Sequence, residues 1–179
     1  MNRRTILGGL LCFVAGVVAA LSAADAFARP IPVVPSSYTD TTYGFTITPP
    51  AFPKLEKDAA MQAAMFFAPV KNSFASNLGV SILANRTTLS DYIKSSQEQF
   101  KAASLKITSE RKLRVSDRDA VLWEYEGEAS GRKLKFMALG VIDSTRVVLV
   151  ACTSTAEDYD ALSRDFKASL DSFKLIKSD

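Results

Sequence analysis

Residues 121–142 read VLWEYEGEASGRKLKFMALGVI, and the reading of this stretch decides the fold. Ser130-Gly131 lies between two runs that both alternate in character. A two-residue loop between antiparallel strands demands positive φ, which glycine adopts at no steric cost. With Ser130 and Gly131 as the loop, Ala129 pairs with Arg132 and Glu128 with Lys133. Counting on, Glu126 meets Lys135, Glu124 meets Met137 and Leu122 meets Leu139, while on the opposite side Tyr125 faces Phe136 and Trp123 faces Ala138. Opposite charges gather on one face and aromatics on the other. Each matched cross-strand pair contributes a few tenths of a kcal/mol up to about 1 kcal/mol, and a one-residue slip would carry charge into the core.

The same periodicity extends in both directions. Leu105 and Ile107, then Leu113 and Val115, mark a strand whose pattern is interrupted by Ser109 and Arg111. Residues 146–153 form another, reached through Asp143-Ser144-Thr145, so a four-strand meander is predicted. A helix is predicted on either side of it. Thr88 with Asp91 three residues on has the form of a capping pair, followed by a stripe of Leu89, Tyr92, Ile93, Ser96, Phe100 and Ala103. Thr155 with Asp158 repeats the pattern ahead of Tyr159, Leu162, Phe166, Leu170 and Phe173. Each stripe is single-sided and flanked by charge, which suits packing against a sheet rather than holding a cofactor. Further upstream, residues 43–48 read as a strand stopped by Pro49, Pro50 and Pro53. Residues 65–68 form a short apolar strand, and Leu78, Val80 and Ile82 mark one more. This order predicts an α+β fold, an antiparallel sheet with helices on its faces.

Arg3 and Arg4, an uncharged apolar run from Ile6 to Leu21, and Ala26-Phe27-Ala28 make the three-part pattern of an export leader. The expected division is a signal peptide over 1–28, a proline-rich spacer over 29–37 and a single domain over 38–176. Removing 28 of the 179 residues leaves 151, enough to bury one core. The expected location is outside the cytoplasm, periplasmic or extracellular, with no membrane span after cleavage. Arg3-Arg4 also resembles a twin-arginine signal, so either export route fits. Loss of Arg3, Arg4 and Asp25 takes the net charge from +3 to +2, too small an excess for a nucleic-acid binder.

The sequence contains no histidine, and the leader would take Cys12 with it. That leaves Cys152, inside the apolar run Val147-Val148-Leu149-Val150-Ala151, where a buried small hydrophobe is expected. A zinc site has no ligand set. No calcium loop, phosphate-cradling glycine loop or nucleophile elbow is present. No catalytic residue, metal or cofactor is therefore expected. Glu124, Glu126 and Glu128 stand about 7 Å apart along one strand face, and lysine partners across the hairpin explain them as a salt-bridged surface. Arg111, Lys112, Arg114 and Arg118, interspersed with Glu110, Asp117 and Asp119, read first as a charged strand edge that blocks aggregation. They are also the candidate contact surface for a protein partner. Asn85-Arg86-Thr87 matches a glycosylation sequon.

Tyr43-Gly44-Phe45-Thr46-Ile47-Thr48-Pro49-Pro50 resembles the opening of PsbP/Mog-like domains. The strand over 78–84, Thr88-Leu89-Ser90-Asp91-Tyr92-Ile93 at the first helix, the Trp123 strand and the closing Ser172-Phe173-Lys174 fit the same family, over residues 38–174. The resemblance implies an α/β/α sandwich and a non-catalytic binding or assembly module, here contacting a partner at the cell envelope. It carries over no functional residue. The second expectation is a carrier for a small apolar or lipid ligand held between sheet and helix, near Met61, Met65, Phe66 and Phe67.

Overall fold

The Ser130-Gly131 reversal forms with φ of 52° and 72°, and every pairing counted from it is present, from Ala129–Arg132 to Leu122–Leu139. The computed structural model describes residues 36–59, 62–84 and 86–176. The expected leader, the expected spacer up to residue 35, Met61 and Asn85 lie outside the described residues.

Five strands precede the first helix: β1 (Tyr38–Asp40), β2 (Phe45–Ile47), β3 (Lys54–Ala59), β4 (Gln62–Phe67) and β5 (Asn77–Leu83). Helix α1 (Leu89–Ala102) leads into the meander β6 (Lys106–Val115), β7 (Arg118–Ala129), β8 (Arg132–Asp143) and β9 (Arg146–Thr155). Helix α2 (Tyr159–Ser172) and the short β10 (Lys174–Leu175) follow. The main sheet has seven strands in the order β3-β4-β5-β9-β8-β7-β6, and a small sheet has the order β1-β2-β10. All of these pairings are antiparallel.

Alternation along the strands divides the apolar residues between two compartments. On one side, Tyr92, Ile93 and Phe100 of α1 pack against Val121, Trp123, Tyr125, Phe136 and Leu149. On the other, Tyr159, Phe166 and Leu170 of α2, with Phe45 and Ile47 of the small sheet, pack against Leu78, Val80, Leu139, Val141 and Val150. The Tyr125 and Phe136 rings stack with centroids 4.7 Å apart. The layers are helix, sheet, helix, as the sequence predicts.

The interruption at Ser109 is a bulge, since the β6–β7 register shifts between Ile107 and Ser109. The extra residue on β6 explains why its alternation breaks there. Thr88 caps α1 as expected: its hydroxyl oxygen accepts the Asp91 N–H at 3.2 Å, and the hydroxyl donates to the Asp91 carboxylate at 2.8 Å. The Thr155–Asp158 pair forms too, but one turn earlier than expected. Thr155 Oγ1 accepts the Asp158 N–H at 3.3 Å, which closes a turn, and α2 starts at Tyr159 with Asp158 as its N-cap. The Asp158 carboxylate accepts the Thr155 hydroxyl at 3.2 Å and also bonds to the Lys71 ammonium, which ties the β4–β5 loop to the start of α2. Three short strands were not expected: β1, β3 and β10. Strand β3 carries Lys54, Glu56, Lys57 and Asp58 and follows three prolines, so its sequence reads as loop.

Candidate functional site

β6 is an outermost strand of the main sheet, as expected for a charged edge. Its pairing with β7 places Arg111, Leu113 and Val115 on the α2-facing side, opposite Leu122, Ala120 and Arg118. Lys112 and Arg114 lie on the α1-facing side, opposite Val121 and Asp119. The four predicted contact residues are thus split between two faces. Arg114 donates to the Asp119 carboxylate at 3.2 Å and to the Asp117 carbonyl at 2.6 Å. Arg118 donates to Asp143 Oδ1 at 3.0 Å, and Arg146 to Asp143 Oδ2 at 3.1 Å. Burial alone would raise the Asp143 carboxyl, but the two guanidiniums outweigh it and hold it below its ordinary value. Arg111 and Lys112 have no ion-pair partner among the described residues.

The glutamate cluster is placed as the hairpin register requires, with different partners. Glu126 pairs with Lys106 of β6 at 3.4 Å. Glu124 accepts the Tyr159 hydroxyl at 3.3 Å. The Lys135 ammonium lies 5.2 Å from the centre of the Tyr159 ring, a cation–π placement. Burial, with the Glu124 charge added to it, pushes the Tyr159 phenol upward, so it stays protonated at neutral pH. These contacts anchor the first turn of α2 to the sheet.

The site that residue patterns did not reveal is a half-open groove of about 420 Å³ between the C-terminal half of α2 and the β6–β7 side of the sheet. Its apolar lining comes from Leu113, Val115, Leu122, Leu139, Leu170 and Phe173, with Arg114, Ser116, Asp171 and Lys174 completing the lining. It exists because α2 packs over β8 and β9 while β7 and β6 extend the sheet beyond the helix. The Leu175 N–H donates to Ser116 Oγ at 3.0 Å and ties β10 to the β6–β7 turn at one end. The alternating Leu113 and Val115 at the end of a charged edge strand were the one signal available in the sequence. Met65, Phe66 and Phe67, expected around a ligand space, do not line it. Met65 lies across Gly79, Phe66 meets Tyr38 edge-on at 5.4 Å, and Lys54 sits 5.4 Å from the Phe67 ring centre. Cys152 is buried, and that burial pushes its thiol well above its ordinary value, so it is a core residue. Among the described residues no group of three or more acidic or cysteine side chains is placed to hold a metal. No helix among them is long and apolar enough to cross a membrane.

No protein-family model matches the chain, and no curated protein matches it in sequence. Solved structures do. Cyanobacterial PsbP (CyanoP) from Synechocystis sp. PCC 6803 superposes with a TM-score of 0.58 at 14% identity, covering 86% of this chain and 98% of that one. The fold is PsbP-like. PA94 from Pseudomonas aeruginosa, a protein of unknown function, matches with a TM-score of 0.57 at 16% identity, over 81% of this chain and 98% of its own. LpqN of Mycobacterium tuberculosis, involved in cell envelope biogenesis, matches with a TM-score of 0.58 at 9% identity, over 79% and 90%. In this PsbP-like domain the groove lies where α2 leaves the outer strands uncovered.

Proposed function

We propose that the chain is an exported, non-catalytic binding module that contacts a protein partner at the cell envelope, with the groove beside β6 as its contact surface. The groove carries this reading. Its apolar lining is continuous with an exposed strand edge, and it is only half enclosed. A site for a small molecule usually covers about 70–90% of the ligand surface, whereas a shallow trough rimmed by charge suits a protein surface. The leader pattern over 1–28 and the envelope role of LpqN support the location. Affinity capture of the mature protein from its native envelope tests the reading, run beside Val115→Trp, which fills the groove. A partner retained by the parent and lost by the variant is expected. An identical set of captured proteins for both would overturn it. N-terminal sequencing of the exported protein should start at Arg29, and a chain that keeps Met1 would refute the leader.

The groove volume favours a second reading, a carrier for a small apolar or lipid ligand. A volume of about 420 Å³ is within the range of small-ligand sites. Native mass spectrometry of protein purified from its own envelope decides this: a bound acyl or lipid mass that Val115→Trp removes would favour the carrier.

A further inference from the structure

We infer that β6 binds an extended segment of the partner protein as an eighth strand, and that this segment alternates acidic with apolar residues. The inference rests on the binding-module reading and specifies its mode. Strand β6 spans ten residues, Lys106–Val115, and pairs only with β7, so beyond its bulge, from Ser109 to Val115, every second residue presents its N–H and C=O outward. A strand added at such an edge gains affinity from main-chain hydrogen bonds and specificity from alternate side chains.

The two faces of β6 ask for different side chains. On the α2-facing side, an added strand would set its side chains beside Leu113 and Val115, at the open mouth of the groove, which calls for leucine-like residues. On the α1-facing side its side chains would stand beside Lys112, which has no ion-pair partner among the described residues and calls for a carboxylate, and beside Arg114, which Asp119 and the Asp117 carbonyl already engage. β6 carries Lys106, Arg111, Lys112 and Arg114 against the single carboxylate of Glu110, which Trp123 and Gln97 engage at 2.8 Å each. Glu126 and Asp119 hold Lys106 and Arg114, so Arg111 and Lys112 are the cations left without an ion pair among the described residues.

The same charges reject the other candidate occupant, a second copy of this chain. Antiparallel β6–β6 pairing centred on the basic segment would set Lys112 against its own copy, Arg111 against Lys112 or Arg111 against Arg114, depending on register, and like charges directly opposed destabilise a strand pair. The far edge of the sheet differs. Strand β3 has six residues with equal numbers of lysines and carboxylates, and Lys54 and Glu56 bridge at 2.6 Å. Charge protection alone explains β3, but it does not explain a groove that opens along β6.

The test titrates nitrogen-15-labelled domain with a capped decapeptide in which aspartate alternates with leucine. The expected result is amide-exchange protection at alternate residues of Ser109–Val115. N-methylation of the outward peptide nitrogens, or the double variant Lys112→Glu, Arg114→Glu, should weaken binding about tenfold or more. Lys54→Glu on β3 should leave it unchanged, and circular dichroism checks that each variant is folded. No binding, protection elsewhere, or equal affinity for a peptide with lysine in place of aspartate would overturn the inference. So would self-association of the free domain through β6. A photoreactive residue placed in the native envelope at position 112, 94 or 164 separates the two levels of the reading. Protein adducts from 94 or 164 but not 112 would refute the β6 mode and leave the binding module standing. Adducts from none of the three would refute both.

Discussion

The indole N–H of Trp123 donates to Glu110 Oε2 at 2.8 Å, and Gln97 of α1 donates to the same oxygen at the same distance. One carboxylate thereby joins the core, the edge strand and the helix above it. Trp123 is 1% exposed, so loss of this acceptor strands a buried donor. Glu110→Ala should cost about 1–2 kcal/mol, and Glu110→Gln, which keeps an acceptor oxygen, should recover most of that. Urea unfolding followed by tryptophan fluorescence reads the effect directly, because Trp123 is the only tryptophan in the chain. Equal stability of the alanine and parent proteins would refute this role.

Gly140 gives Tyr92 its place. A Cβ at Gly140 would lie 2.5 Å from Tyr92 Cε1 and 3.1 Å from the hydroxyl. Gly140→Ala should therefore destabilise by about 1–3 kcal/mol through overpacking. Ser96 stands near the Tyr92 hydroxyl, but no hydrogen bond of normal geometry forms, and that hydroxyl is buried without a partner. Tyr92→Phe should accordingly be neutral, or stabilising by up to about 1 kcal/mol. Thermal denaturation of both variants checks the pair.

Asp143 makes stability depend on pH in acid. Burial raises its carboxyl, but Arg118 and Arg146 lower it further, so its folded value lies below the unfolded one. As pH falls, the unfolded chain takes up this proton first. The stabilisation is therefore complete above the ordinary carboxylate value, about 3.9, and is lost as pH drops through the folded value. Asp143→Asn should cost about 1–2 kcal/mol at pH 7, and the gap should close in strong acid. Melting curves from neutral pH downward measure it, and a gap of constant size would refute the linkage.

The β7–β8 turn holds Ser130 and Gly131 at φ of 52° and 72°. Gly131→Ala should cost about 1 kcal/mol, because a Cβ opposes that conformation. Ser130→Asn should gain a few tenths of a kcal/mol, since asparagine tolerates positive φ better than serine. Guanidinium unfolding at a fixed temperature ranks the three proteins.

The elements legible in the sequence are those whose pattern and partner are close along the chain. The β7–β8 register followed from one turn, and the helix stripes from local periodicity. Tyr38–Asp40 and Lys174–Leu175 carry no such signal, because each is a strand only by virtue of β2, and β10 joins it from more than 120 residues away. β3 was hidden by its own edge chemistry. Glu126 found Lys106 rather than Lys135 because β7 has neighbours on both sides, whereas the hairpin count considers one. The groove was illegible for the same reason as β10: its lining comes from β6, β7, β8, α2 and the residues just after α2, and only the packing of α2 brings them together.

The seven-stranded sheet is also a partition. Buried apolar side chains under α1 and those under α2 fall into two separate clusters, and changes made to well-separated sites usually add. The α1 compartment, around Phe100 and Tyr92, can therefore be rebuilt for heat resistance while the groove on the other side keeps its shape, as long as the Trp123–Glu110 bond that reaches β6 is kept. Natural drift has the same freedom: one half of the molecule can wander in sequence while the other stays matched to whatever it meets.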